Sequence, residues 1–215
     1  MNNEENKYYP LFLNVKGRKC VVVGGGEVAL RKVEDLLGSG AEVKVFSPCI
    51  CPELAELGRQ NSIQIISRKY QAGDLEDTFV TIAATDDNEI NKMVVCEARE
   101  KSVLINAVDD AERSDFIVPS CLRRGDITIA VSTGGKSPAL ARKLRLRLES
   151  EFGDEYALLA NVIGEVRQEF KKKHIKVSAE AWQQAIDIDC LIGLLEKGEV
   201  EQARTVLMEN IEAEQ

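Results

Sequence analysis

Val21-Val22-Val23-Gly24-Gly25-Gly26-Glu27-Val28-Ala29 is the stretch on which the fold of this chain turns. An apolar run of strand type ends in three glycines, and a helical pattern follows at once. Gly24, Gly26 and Ala29 give the G-x-G-x-x-A form of the dinucleotide-binding fingerprint. Gly24 lets the chain turn out of the strand. Gly26 has no Cβ, so a pyrophosphate can approach the backbone. Ala29 lets the helix pack close to the sheet. The free N–H groups of that helix, with Gly25 before it and Glu27 and Val28 in its first turn, face the phosphates. The alternative is a tight glycine turn in an α/β protein that binds no nucleotide.

Outward from this turn the pattern alternates. Strands are expected at 19–23, 42–46, 63–67, 78–84 and 103–108, with helices at 27–39, 52–60 and 88–101. That rhythm specifies a parallel, Rossmann-type sheet. It then stops. Strands at 115–122 and 126–132, separated by Arg123-Arg124-Gly125, read as a hairpin, followed by a helix over 139–152. Helical patterns continue at 154–173, 178–188, 189–197 and 199–210, and the final IEAEQ is expected to fray. The fold class is therefore α/β, with a Rossmann-type domain at 1–113, a mixed α/β region at 114–150 and a small all-helical domain at 151–215.

Composition narrows the function classes. No apolar run approaches the roughly 20 residues of a membrane span. The N-terminal MNNEENKYYP is polar and acidic, unlike a signal peptide. A cytoplasmic protein without a membrane partner is expected. The formal net charge of −8 disfavours general nucleic-acid binding. Yet residues 121–148 carry seven Lys/Arg (Arg123, Arg124, Lys136, Arg142, Lys143, Arg145, Arg147) against the single acid Asp126. This belt suits an anionic ligand or an acidic partner surface. Of the six cysteines, Cys20, Cys96, Cys121 and Cys190 fall in apolar-periodic segments and read as core thiols. Cys49 and Cys51 form the one close pair, and no metal site is expected.

Candidate site residues gather at strand ends. An acid usually ends the second strand to hold the adenosine ribose, but Lys44, Val45, Phe46, Ser47 and Pro48 stand there instead. Either Ser47, Pro48 and backbone groups hold the ribose, or the fingerprint is no dinucleotide site. With no arginine at that strand end, NAD is favoured over NADP. Ala84, Thr85 and Asp86, after the fourth strand, lie beside the nicotinamide half of a bound cofactor, or serve with Asp87 as a helix cap. Asp109, after the fifth strand, suits a general base, a group orienting a substrate nitrogen, or a metal ligand. Ser132-Thr133-Gly134-Gly135-Lys136-Ser137 lacks the spacing of a P-loop, which argues against nucleotide hydrolysis. It makes a carboxylate-binding corner, or simply a turn into a helix.

Together these stretches resemble the precorrin-2 dehydrogenase / sirohydrochlorin ferrochelatase family of sirohaem synthesis. The resemblance lies in YPLFLNVKGRKCVVVGGGEVALRK at 9–32, TIAATDD at 81–87, INAVDD at 105–110 and FIVPSCLRRGDITIAVSTGGKSPALARKLR at 116–145. It implies an NAD-binding domain, a dimerisation region and a helical domain, in a homodimer that oxidises precorrin-2 to sirohydrochlorin. Some members also insert ferrous iron. The resemblance assigns catalysis to Asp109 and the tetrapyrrole site to Asn106, Ser132, Thr133, Gly134 and Gly135, with Lys136 beside them. It removes the objection of the missing ribose acid. The basic belt would recruit a polyanionic macrocycle, or part of it would serve the dimer. Fused members carry a methyltransferase domain, so methylation is expected to lie elsewhere. A rival reading is a regulatory, redox-sensing NAD-binding module without catalysis.

Overall fold

The computed structural model describes residues 8–214, so the reading of the polar segment 1–7 and of Gln215 lies outside the described residues. The chain divides into two compact units between Val118 and Pro119.

The first unit contains β1 (Lys19–Val23), α1 (Glu27–Gly38), β2 (Glu42–Phe46), α2 (Pro52–Arg59), β3 (Gln64–Ile66), β4 (Val80–Ala83), α3 (Asn88–Glu100) and β5 (Leu104–Ala107). The strands form one sheet in the order β3-β2-β1-β4-β5, and every pair is parallel. The expected Rossmann-type architecture is present. Alternation along each strand explains the continuous apolar runs, because both faces are covered. Cys20, Val22, Val43, Val45, Val80 and Ile82 face Ala29 and Val33 of α1 and Leu54 of α2. Val21, Val23, Phe46, Ala83, Ile105 and Ala107 face Val94, Val95 and Ala98 of α3, with Tyr70 and Leu75. Burial pushes the Cys20 thiol up to about 11, so it stays a packed, protonated group.

Successive strands add outward from β1 through β2 to β3, and the chain then crosses back to place β4 on the other side of β1. The seam between β1 and β4 is the topological switch point. Ligands of such sheets bind outside the carboxyl ends of the strands there.

The second unit opens with a hairpin, β6 (Ser120–Arg124) and β7 (Ile127–Val131), followed by α4 (Pro138–Glu151). Four helices complete it: α5 (Glu155–Lys172), α6 (Ala179–Ala185), α7 (Ile188–Leu195) and α8 (Val200–Ala213). Their core joins Leu159, Val162, Val166 and Phe170 of α5 to Leu191, Leu195, Leu207 and Ile211. Among the described residues, no helix is long and apolar enough to cross a membrane.

Several expectations need correction. Arg123 and Arg124 belong to β6, paired with Thr128 and Ile127. The turn is Gly125-Asp126, with Gly125 in the left-handed region at φ 55°; two residues close a twisted hairpin better than three. Residues 115–119 are not strand. Asp115 instead caps the open edge of β5, where its N–H donates to the Ile105 carbonyl at 2.8 Å and its carboxylate accepts from the Ile105 N–H at 3.1 Å. Cys96 and Cys190 are exposed rather than core, because α3 turns Val94, Val95 and Ala98 inward and leaves Cys96 outside, and α7 buries Leu191 and Leu195 instead of Cys190. The last turn of α8 does not fray at Ile211, which is fully buried.

Candidate functional site

The glycine turn meets three separate demands. Gly24 has φ +135°, and a Cβ there would lie 2.1 Å from the Ala84 carbonyl oxygen. The β1 and β4 ends meet backbone to backbone at this point, with the Ala84 N–H donating to the Val23 carbonyl at 2.7 Å. Gly24→Ala is therefore expected to force that seam apart and to lower stability by about 2 kcal/mol, read as a drop in the unfolding midpoint in urea. Gly25 is needed for a different contact. Its Cβ would lie 1.9 Å from the Cys49 carbonyl oxygen, and its own carbonyl accepts from the Cys51 N–H at 2.8 Å. So the second glycine admits the 47–51 loop. Gly26 is the open position, where a Cβ would meet nothing within 4 Å. It caps α1 without a side-chain hydrogen bond. The N-terminus of α1, with Glu27 in its first turn and Val28 partly exposed, thus presents backbone donors to open space at the switch point. That arrangement fits a dinucleotide pyrophosphate.

At the end of β2, Ser47 is buried and its hydroxyl donates to the Cys49 carbonyl at 2.7 Å. This hydroxyl shapes the 47–49 turn beside Pro48. The chemistry open to a ribose here is that of backbone groups and of side chains from neighbouring loops.

At the end of β4, Thr85 and Asp87 build the start of α3. The Asp87 carboxylate accepts from the Glu89 and Ile90 N–H groups at 3.2 and 3.3 Å. Asp87, not Asp86, is the cap; Asp86 is exposed beside it. The Thr85 hydroxyl accepts from the Asp87 N–H at 3.1 Å, and the Thr85 carbonyl accepts from the Asn91 side-chain amide at 2.8 Å. Asn91 is thus an organiser of the 84–87 loop that sequence reading missed. Its place one turn after a cap was the available signal.

At the end of β5, Asn106 is buried, and its amide donates to the Phe116 carbonyl at 2.9 Å. The Ser114 hydroxyl accepts from the Ala107 N–H at 2.9 Å and reaches the Asp110 carbonyl at 2.7 Å. The Asp110 carboxylate accepts from the Arg113 N–H at 3.1 Å. These bonds fold 107–116 into a compact loop with Asp109 at its tip. Asp109 is exposed and sits at φ 61°, a left-handed conformation that aspartate and asparagine tolerate better than most residues. Its charge reaches α1. Burial holds the Lys32 ammonium below its ordinary range, while the charges of Asp35 and, more weakly, Asp109 oppose that shift. The structure therefore brings Gly24–Val28, Ser47–Pro48, Ala84–Asp86 and Asn106–Asp109 to one carboxyl edge of one sheet.

Ser132, Thr133, Gly134, Gly135 and Lys136 lie in the second unit, between β7 and α4. The Thr133 hydroxyl accepts from the Ser137 N–H at 2.9 Å, and Gly134 and Gly135 take φ 62° and 84°. Ser137 caps α4 by accepting from the Leu140 N–H at 3.2 Å. Three cations of the basic belt, Arg124, Arg145 and Arg147, have partners within their own unit. Arg124 donates to the Phe152 carbonyl at 2.9 Å, Arg145 pairs with Glu149, and Arg147 pairs with Glu151 at 3.5 Å. Arg142 and Lys143 are exposed.

Comparison with known proteins agrees with this fold. Residues 11–120 match a family profile described as "Putative NAD(P)-binding", and residues 124–151 match one described as sirohaem biosynthesis protein, central. A sirohaem synthase of Chromobacterium violaceum is 37% identical over 84% of this chain and 39% of its own length. One of Tolumonas auensis is 38% identical over 96% of this chain and 44% of its own. One of Thioalkalivibrio sulfidiphilus is 43% identical over 77% of this chain and 34% of its own. The chain thus spans well under half the length of these curated relatives. A solved structure, "SirC, precorrin-2 dehydrogenase", shares the fold with a TM-score of 0.72 and 24% identity, over 96% of this chain and 100% of that one. The chain belongs to the family described as putative NAD(P)-binding, whose profile spans residues 11–120, and over residues 124–151 it is similar to the central part of sirohaem biosynthesis proteins.

Proposed function

We propose that this chain oxidises precorrin-2 to sirohydrochlorin, with NAD as the hydride acceptor. One observation carries the reading. A chain of this family holds an open glycine turn and a loop-tip carboxylate, Asp109, on the same carboxyl edge of a doubly wound sheet. Gly24, Gly25, Gly26, Glu27 and Val28 would hold the pyrophosphate. Ser47 and Pro48 would border the adenosine ribose, and Ala84, Thr85 and Asp86 the nicotinamide end. When bound, NAD supplies the two-electron acceptor.

The chain's own residues do the rest. Oxidation of the macrocycle removes a hydride and a proton. The Asp109 carboxylate accepts the proton, and its αL backbone sets it out from the loop. Gain of conjugation in the product supplies driving force, so one carboxylate suffices. Asn106 fixes the loop behind Asp109 through Phe116. Ser132, Thr133, Gly134, Gly135 and Lys136 are assigned to the carboxylates of the tetrapyrrole, whose polyanionic character suits exposed Arg142 and Lys143. Ferrous iron would enter as a second substrate of the same chain, with Asp109 taking protons from pyrrole nitrogens. We assign dimerisation to residues 114–150, between an NAD-binding domain at 1–113 and a helical domain at 151–215. We place the protein in the cytoplasm; its six free cysteines suit a reducing compartment.

Anaerobic incubation with precorrin-2 and NAD+ is expected to give the absorption spectrum of sirohydrochlorin. Dinucleotide binding with no conversion at any substrate concentration would remove the enzyme reading in favour of a regulatory NAD-binding module.

A further inference from the structure

The family description leaves NAD and NADP open, and residues 44–48 offer no arginine to a 2′-phosphate. The fold supplies one from the neighbouring strand. β3 runs parallel to β2, with Ile66 opposite Phe46, and the Ser47 N–H donates to the Ile66 carbonyl at 3.3 Å. Two residues on, the Arg68 guanidinium stands 5.2 Å from the centroid of the Phe46 ring. Phe46 is the last residue of β2. The end of this strand is where the adenosine ribose is read in this fold class, and a nearby arginine is what accommodates a 2′-phosphate.

Arg68 is already engaged. Its two terminal nitrogens donate to the two carboxylate oxygens of Asp74, both at 2.7 Å. Asp74 also accepts from the Gln71 N–H at 2.8 Å, and its side chain is 11% exposed. Burial raises the Asp74 carboxyl, but its hydrogen bonds to Arg68 and Gln71 and the Arg68 charge outweigh this and hold it below its ordinary range. The next cation, Lys69, pairs with Asp87 at 3.1 Å. Both cations that follow β3 therefore have a carboxylate partner.

We propose that the Arg68–Asp74 pair sets the choice of dinucleotide, admitting the 2′-hydroxyl of NAD and refusing the 2′-phosphate of NADP, because Asp74 occupies the guanidinium fork that the phosphate requires. The inference rests on the reading of the β1–α1 turn as a dinucleotide site. A phosphate monoester brings a charge of about −1.5 to −2 near neutral pH. It would meet a pair of zero net charge whose carboxylate repels it. To take the fork it would have to displace Asp74, leaving that carboxylate unpaired where water scarcely reaches it. A neutral hydroxyl faces neither cost. Discrimination thus comes from a repulsive group placed against the wrong ligand.

The test is calorimetric titration of the full chain with NAD+ and NADP+ in turn. The 68–75 loop keeps a second anchor when Asp74 is changed, because Glu97 holds the Gly73 and Leu75 N–H groups at 2.9 and 3.2 Å. In Asp74→Ala the ratio of NADP+ to NAD+ affinity is expected to rise at least tenfold over that of the unsubstituted chain. Asp74→Asn, which retains an acceptor for Gln71, is expected to move it in the same direction. Adding Arg68→Gln to either variant should abolish the gain. An unmoved ratio in both single variants overturns the proposal, as does a gain that persists without Arg68. If NAD+ binds and only the ratio fails to respond, the Asp74 assignment falls alone. If neither dinucleotide binds the unsubstituted chain, the reading of the glycine turn falls with it.

Discussion

Asp109→Asn is expected to lower turnover of precorrin-2 at least tenfold while NAD+ affinity stays within about twofold, since a positioned base contributes about 10²–10⁴ to such a step. The variant is chosen for its backbone. Asp109 sits at φ 61°, and asparagine is the residue that accepts this conformation with the same shape. The substitution therefore removes the negative charge and the proton acceptor, and leaves the loop intact. The loop has its own supports, the Ser114 hydroxyl on Ala107 and Asp110 and the Asp115 carboxylate on Ile105. Asp109→Ala would add backbone strain of about 1 kcal/mol, so a larger loss there than in Asp109→Asn measures strain rather than chemistry. Steady-state kinetics with a parallel NAD+ titration separates the two. Turnover of Asp109→Asn equal to that of the unsubstituted chain would exclude Asp109 as the proton acceptor.

The second large effect is on stability and lies away from the chemistry. Glu97, on α3, is 7% exposed in the middle of an otherwise apolar helix face. Its carboxylate accepts from the Tyr70 hydroxyl, from the Gly73 N–H at 2.9 Å and from the Leu75 N–H at 3.2 Å. Tyr70 and Leu75 are core residues, so this one side chain ties the 70–75 loop onto α3. Burial, together with the hydrogen bond and charge of Glu97, pushes the Tyr70 phenol well above its ordinary range. Glu97→Ala would orphan three donors and open a void. The expected loss is about 3–4 kcal/mol, measured as a shift of the urea midpoint with unchanged slope. Glu97→Gln, which keeps an acceptor of the same shape, should recover part of it. A loss below about 1 kcal/mol in Glu97→Ala would show that the loop is held by its apolar contacts alone.

Most of the first unit is legible in its sequence because local and global signals agree there. β1 and β2 fall where the apolar runs end at glycine, serine or proline, and Asp87 announces α3 as a cap. The hairpin is legible, but its turn is displaced in the sequence reading because Arg123 and Arg124 look like turn residues. They are paired edge positions, and Gly125 with φ > 0 is the true marker. The exposed cysteines read as core because apolar character alone does not say which face of a helix is covered; the neighbours Val94, Val95 and Ala98 decide it for Cys96, and Leu191 and Leu195 for Cys190. Within the site, the sequence showed which residues stand at strand ends, since that follows from order alone. It did not show that Gly25 exists to admit Cys49, that the Ser47 hydroxyl turns back on its own loop, or that Arg68 reaches the end of β2. Each of those is a contact between segments well apart in the chain or a choice of hydrogen-bond partner. Neither leaves a mark in periodicity or spacing.

The measurement that bears most directly on the central claim is the redox balance of a single reaction. The chain, NAD+ and precorrin-2 are mixed without oxygen, and NADH and sirohydrochlorin are followed together. Dehydrogenation by this chain predicts that the two appear at the same rate and in equal amounts, and that omitting NAD+ stops both. Sirohydrochlorin formed at the same rate without NAD+, or no NADH formed at all, would contradict it.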